Sequence, residues 1–396
     1  QADELRQQVN GDSVSYVVNR NINYTNVCYF KCQFCAFSKG KQSENLRGRP
    51  YDITGEDIAA RCVEAWERGA TEVCMQGGIH PDYTGQTYLD IVHTVRSVAP
   101  ELHIHAFSPL EVWQGAATLG VSVPTFLRQL RLAGLNTLPG TAAEILHDEV
   151  RASLCPDKLN TAQWLEVMAA AHAEGLRTTA TIMYGHIDQP RHWASHLLHI
   201  RNLQQRTGGF TEFVPLPFVH MEAPMYLKGK ARRGPSFREA VLMHAVARLV
   251  FHGLIDNIQA SWVKMGRAGV AACLKAGVND LGGSLMNESI TRAAGSGHGQ
   301  EWAPAFMETQ IRAAGRIPRM RTTLYADAAQ ERRATAFEAQ ALVEIHGASA
   351  RKQQRSKRLS PPVEVQAGPG AFAVHWVHPL RDAAVYESVV LMAACN

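Results

Sequence analysis

Three thiols stand close together near the start of the chain, in Cys28-Tyr-Phe-Lys-Cys32-Gln-Phe-Cys35, a C-x3-C-x2-C spacing. Thiolates hold iron-sulfur clusters, and three of them on a four-iron cube leave one iron without a protein ligand. An open iron can chelate a small molecule, the arrangement that lets S-adenosylmethionine (SAM) be cleaved reductively into a carbon radical. The competing reading is structural zinc, which takes four ligands, usually from two paired knuckles. No second C-x2-C pair exists in the 396 residues, so Cys28, Cys32 and Cys35 read as ligands of a 4Fe-4S cluster.

Further polar groups recur where short β-branched or apolar runs end. Met75-Gln-Gly77-Gly78-Ile-His-Pro-Asp82 offers paired glycines that let a backbone approach a ligand, although a tight turn needs the same residues. His105-Ala-Phe-Ser108-Pro-Leu-Glu111 and Pro139-Gly-Thr141-Ala-Ala-Glu144 place hydroxyls and carboxylates that can bond ribose hydroxyls or an ammonium. Glu144 has a second reading, a first-turn helix carboxylate with Thr141 as N-cap. Thr181-Ile-Met-Tyr184-Gly-His186 offers a phenol and an imidazole that could orient a substrate or move a proton, and a buried structural histidine fits equally. Glu212-Phe-Val-Pro215-Leu-Pro217 reads as a strand leaving through a proline-stiffened loop. Asn257 to Lys264 and Asn279-Asp280-Leu-Gly-Gly283 through Glu288 add amides and carboxylates suited to a polar heterocycle bearing a polyol.

The elements that must position these groups follow a βα rhythm. Eight runs, 15–26, 72–76, 103–108, 135–138, 178–184, 211–215, 257–263 and 278–285, are each followed by a helical pattern. Eight units favour a closed (β/α)8 TIM-type barrel, with chemistry at the C-terminal ends of its strands. The dinucleotide fingerprint of an open doubly wound sheet is missing at the first turn. Thr54 is expected to cap a helix burying Ile58, Cys62, Val63 and Trp66, and Thr161 one that ends at Gly175. Residues 1–326 read as the barrel domain. Residues 327–396 read as a low-complexity, partly disordered extension carrying the basic run Arg351–Arg358 and a Pro- and Gly-rich stretch, with a possible helix from Glu331 to Ile345.

A net charge of +4 from 40 basic and 36 acidic residues argues against nucleic-acid or membrane partners. No run approaches the eighteen apolar residues of a membrane helix. Eight cysteines without a short-loop framework suit a reducing compartment, so a cytoplasmic location is expected. The chain does not begin with Met, and an upstream segment could direct it to an organelle instead.

Together the motifs resemble the family of radical SAM enzymes that join tyrosine to 5-amino-6-(D-ribitylamino)uracil on the way to the deazaflavin FO. The match runs from Asn19–Cys28 through the strand-end motifs above to Arg321-Thr-Thr-Leu-Tyr325. The resemblance implies a 4Fe-4S cluster and SAM as cofactors, with L-tyrosine and the aminouracil as substrates. It implies 4-hydroxybenzyl transfer to C5 of the uracil, releasing 2-iminoacetate, methionine and 5′-deoxyadenosine. It implies an electron donor such as ferredoxin or flavodoxin. Gly77, Gly78, Ser108 and Glu144 are the expected SAM-binding residues, and Tyr184, His186, Asp280 and Glu288 the expected catalytic ones, with Asn279 beside them.

Two features depart from the pattern: the stretch after Tyr325 has no counterpart, and only one cysteine triplet is present. FO formation needs a second radical SAM step, so a second subunit or fused half is expected. The alternatives are a radical SAM enzyme of the futalosine route to menaquinone and a non-catalytic metal-binding module.

Overall fold

In a computed structural model of the chain, residues 1–38 and 50–342 are described. The strands are β1 (Ser13–Val17), β2 (Asn19–Ile22), β3 (Glu72–Met75), β4 (His103–Ala106), β5 (Thr137–Leu138), β6 (Arg177–Tyr184), β7 (Phe210–Pro217), β8 (Asp280–Gly283) and β9 (Ile317–Arg321). All ladder pairings among them are parallel, in the orders β2-β3-β4-β5-β6-β7 and β8-β1-β9. Single bridges join Phe213 to Ile258 and Gln259 to Asp280, while Arg20 bridges Met286. The six-stranded sheet therefore curls round through residues 258–259 and β8 to meet β1, which runs on into β2. This is the expected barrel.

Three details differ from the sequence reading. The seventh run makes only two bridges, because the helix Trp262–Cys273 starts at once. A ninth strand, β9, pairs with β1 over residues Ser13 to Val17. The prolines of β7 lie within the strand, Pro215 opposite Ile182 and Pro217 opposite Tyr184. They are tolerated because the other edge of β7 is bridged only at Phe213, so no ladder there needs their missing N–H groups.

Local signals account for the helices around the sheet. Thr54 and Asp57 form a reciprocal capping box at the start of Gly55–Glu67, and Ile58, Cys62 and Ala65 face the core, whereas Val63 is exposed. The cap of Thr161–Ala173 is Asn160, not Thr161, whose hydroxyl bonds Asp148 at 2.6 Å instead. Gly175 follows that helix with φ of 81°, the left-handed turn that glycine adopts at least cost. Residues 142–147 contain no helix, and Glu144 sits in a turn at φ of 45°. Its reading as a helix N-terminal carboxylate is thereby replaced by a constrained loop residue.

The helix Gln330–Glu338 packs on the barrel. Gly69 lies so close to Ala336 that a Cβ there would stand 2.4 Å from its nitrogen. Arg332 stacks 3.9 Å from the Trp66 ring centroid, and Arg333 pairs with Glu308 at 2.5 Å. The basic run and the Pro- and Gly-rich stretch lie outside the described residues. No helix among the described residues is long and apolar enough to cross a membrane.

Candidate active site

A cavity of about 380 Å³ opens at the C-terminal ends of the strands and descends into the barrel, a size suited to small-molecule ligands. Cys28, Cys32 and Cys35 line its mouth and are free thiols. Their loop is pinned from several sides: Gly78 N–H to Thr25 O at 2.8 Å, Tyr29 N–H to Ile79 O at 3.1 Å, and Gln33 N–H to Leu154 O at 3.0 Å.

The paired glycines hold that loop by close packing. A Cβ on Gly77 would lie 2.3 Å from the Tyr24 ring, and one on Gly78 would lie 2.3 Å from the carbonyl oxygen of Val27. Glu111, wholly buried, accepts from the Gly77 N–H at 3.1 Å, from the Ser108 N–H at 2.7 Å and from the Tyr24 hydroxyl. Burial pushes its carboxyl above the ordinary range although these donors oppose the rise. Ser108 caps the helix Pro109–Leu119 and donates to Glu111 at 2.5 Å.

The thiols fit a cluster better than a single ion. Burial pushes the Cys32 thiol up to about 12 while Lys158 opposes the rise, so this sulfur becomes a thiolate ligand only where a metal supplies positive charge. Thiolates on one tetrahedral zinc stand about 3.8 Å apart, given Zn–S bonds of about 2.3 Å. Among the described residues only His147, Glu149 and His192 bring three ligand atoms within 4.8 Å of one another, and none of these lines the cavity. The three cysteine sulfurs are not gathered within that distance of one another, so they do not form a single-ion site.

Glu144 reaches the same mouth and pairs with Lys158 at 2.9 Å. Glu288 also lines the cavity, where its carboxylate accepts from the Thr291 N–H at 2.6 Å. Lys264 lies nearby at the start of the helix Trp262–Cys273, which is broken at Gly266 with φ of 60°. Burial lowers the Lys264 ammonium, with Glu288 and Glu144 opposing.

Four of the sequence-derived candidates do not line the cavity. Tyr184 turns outward into the helical layer, packing on Trp193, with its hydroxyl 3.5 Å from Ala240 O. His186 is enclosed by the turn after β6, with Nδ1 2.9 Å from Asp188 and Nε2 3.1 Å from Met183 O. Asp280 is completely buried beneath the cavity, where it holds Arg321 at 2.6 Å and Ser15 at 2.5 Å. Asn279 is likewise occupied, by Arg248 at 2.7 Å.

The sequence reading missed the cavity's interior as a site. Glu72, His105, Thr179, Glu212 and Gln259 project into it from the strand circuit, joined by Arg321 and Thr323 from the end of β9. The available signal was chemical: a barrel strand is buried on both faces, so a Glu or His within it needs a reason. Burial, then Asp280 and Glu72, raises the Glu212 carboxyl to about 7, with Arg321 and Tyr325 opposing.

A parallel barrel whose rim carries a C-x3-C-x2-C triplet beside a ligand-sized cavity defines a radical SAM enzyme, with a 4Fe-4S cluster and SAM as its cofactors. The radical SAM superfamily model matches residues 22–199, and the model described as CofH/MqnC C-terminal region matches residues 207–333. The 5-amino-6-(D-ribitylamino)uracil–L-tyrosine 4-hydroxyphenyl transferase of Methanopyrus kandleri is 50% identical over 324 residues, 82% of this chain and 87% of that protein. The chain belongs to this transferase family. FO synthase of Streptomyces avermitilis is 50% identical over 335 residues and that of Mycobacterium tuberculosis 51% over 325, covering 85% and 82% of this chain. The chain spans only 38% of the length of either FO synthase. Among solved structures, methylornithine synthase superposes with a TM-score of 0.61 at 16% identity, over 80% of this chain and 87% of that one, a likeness of fold. An [FeFe]-hydrogenase maturase from Carboxydothermus hydrogenoformans does so at 0.59 and 13%, over 82% and 72%.

Proposed function

We propose that this chain cleaves L-tyrosine and joins its 4-hydroxybenzyl group to 5-amino-6-(D-ribitylamino)uracil, releasing 2-iminoacetate, as the tyrosine-transfer half of FO formation. The observation that carries the reading is the coverage of the Methanopyrus transferase, 87% of its length at 50% identity, by a chain with one cysteine triplet. The FO synthases, more than twice as long as the matched segment, support a second radical SAM half or subunit as partner. A small electron-carrier protein such as ferredoxin or flavodoxin supplies the electron, and the cytoplasm is the proposed location.

Cys28, Cys32 and Cys35 would hold the cluster, and with SAM bound beside it the cofactors would supply the carbon radical that hydrogen abstraction from tyrosine needs. Gly77 and Gly78 present backbone to SAM, Ser108 and Glu144 frame its polar groups, and Glu288 faces the reacting substrates. The apolar wall of Phe30, Phe34, Ile79 and Leu110 keeps water from a radical that would otherwise be quenched. Tyr184, His186 and Asp280 are assigned supporting roles, since none of them lines the cavity.

In an anaerobic assay of the reconstituted protein with SAM, dithionite, tyrosine and the aminouracil, 5′-deoxyadenosine and 2-iminoacetate are expected. Cys28→Ala, Cys32→Ala and Cys35→Ala should each abolish both. Normal turnover by any of the three variants contradicts the mechanism.

A further inference from the structure

We propose that the interior of the barrel below the rim is the seat of the aminouracil, with Glu212 as its principal hydrogen-bond acceptor. This rests on the transferase reading above. The Glu212 carboxylate spends only one oxygen on the protein: Oε2 accepts from Arg321 Nη2 at 3.2 Å and from the Tyr325 hydroxyl. Among the described residues its Oε1 takes no hydrogen bond, and neither does the side-chain amide of Gln259, which lines the same space. His105 uses Nδ1 on Thr137 at 2.7 Å and leaves Nε2 for a ligand.

The charges there select the ligand. Arg321 is fully engaged: Nε and Nη2 bind Asp280 at 2.6 and 3.0 Å, Nη2 also reaches Glu212, and Nη1 donates to Thr322 O at 3.1 Å. It has no fork left for a substrate carboxylate. Glu72, bonded to Asn19 at 2.7 Å and Thr323 at 2.7 Å, adds a second carboxylate that lines the cavity. Burial lowers the His105 imidazolium, as it does that of His103, the latter to about 4. The surroundings of Glu212 are therefore rich in acceptors, and the one further cation on the cavity wall without a hydrogen bond among the described residues, Lys264, stands with Glu288 and Glu144 near it. A zwitterionic amino acid would set its carboxylate against Glu212 and Glu72. A heterocycle edged with N–H groups and carrying a ribityl chain offers donors instead, and a donor to a carboxylate makes the stronger kind of hydrogen bond.

Glu212→Gln reverses the polarity of the contact. Arg321 and Tyr325 both donate, so they hold the amide oxygen, and the NH2 group turns toward the ligand. With the reconstituted protein, the KM for the aminouracil should rise at least about tenfold while that for tyrosine moves by less than about threefold. Gln259→Met breaks no hydrogen bond within the protein and should raise the aminouracil KM about fivefold, which keeps the inference testable if Glu212→Gln fails to fold. Anaerobic calorimetry gives a readout apart from turnover. Aminouracil affinity of the native protein should tighten as pH rises through about 7, where Glu212 ionises among Arg321, Tyr325, Asp280, Glu72 and His105, and Glu212→Gln should lose that dependence. A rise in the tyrosine KM alone, or equal rises in both, overturns the inference and leaves the transferase reading standing. Absence of any hydroxybenzyl adduct from the native protein overturns both.

Discussion

At Gly78 the chain has room for a hydrogen and nothing larger. An added methyl would meet the carbonyl oxygen of Val27 at 2.3 Å and the Cβ of Cys28 at 3.0 Å, so Gly78→Ala must displace the segment that presents the first thiol. We expect this variant to keep its helical circular dichroism and lose most of its bound iron and sulfide after reconstitution. Native iron content would show that the loop can yield. Glu111 works on the same segment from the other side, through the Gly77 N–H and the Tyr24 hydroxyl. Glu111→Ala leaves those donors unsatisfied in a wholly buried place, a cost of about 1–3 kcal/mol. It should lower both the midpoint of denaturant unfolding and cluster retention, and an unchanged midpoint would refute the role given to this carboxylate.

Among the elements, the turn after β6 shows what a sequence motif conceals. Tyr184 and His186 stand at a strand end, as a catalytic pair would, but strand alternation sends Tyr184 outward and the turn folds His186 onto Asp188. Burial alone would raise the Asp188 carboxyl. His186, the Gly185 N–H and the Trp193 indole outweigh it and hold the group well below its ordinary value of 3.8. A carboxyl so lowered contributes stability that is complete above its unfolded value and is lost as pH falls through the folded one. Asp188→Ala should therefore cost about 3–5 kcal/mol at neutral pH, measured by denaturant unfolding, with the difference from the native protein shrinking only below about pH 4. A loss of under about 1 kcal/mol at neutral pH would contradict this. The rim glycines, Ser108, Glu144 and Glu288 were legible because they lie in loops where a βα barrel gathers its ligands. Glu72 and Glu212 were not singled out, since an inward side chain on a strand carries no local mark beyond its polarity, and Gln259 was noted only as part of the amide-bearing run 257–264. Arg321 was harder still, because β9 lies outside the eight-unit rhythm and enters the barrel only by pairing with β1.

For the molecule as a whole, the barrel divides its chemistry by depth. Thiols, backbone and the Glu144–Lys158 pair surround the mouth, while carboxylates and amides line the interior. The family model ending at residue 333 takes in β9 and the start of the helix Gln330–Glu338, so the strand that brings Arg321 inside belongs to the matched unit. The chain spans 38% of the length of the FO synthases it matches and 87% of that of the Methanopyrus transferase. The decisive measurement is product mass after anaerobic incubation of the reconstituted chain with tyrosine, the aminouracil, SAM and dithionite. The account predicts the 4-hydroxybenzyl adduct of the aminouracil, without FO. FO made by this chain alone, or a futalosine-type product in place of the adduct, would contradict it.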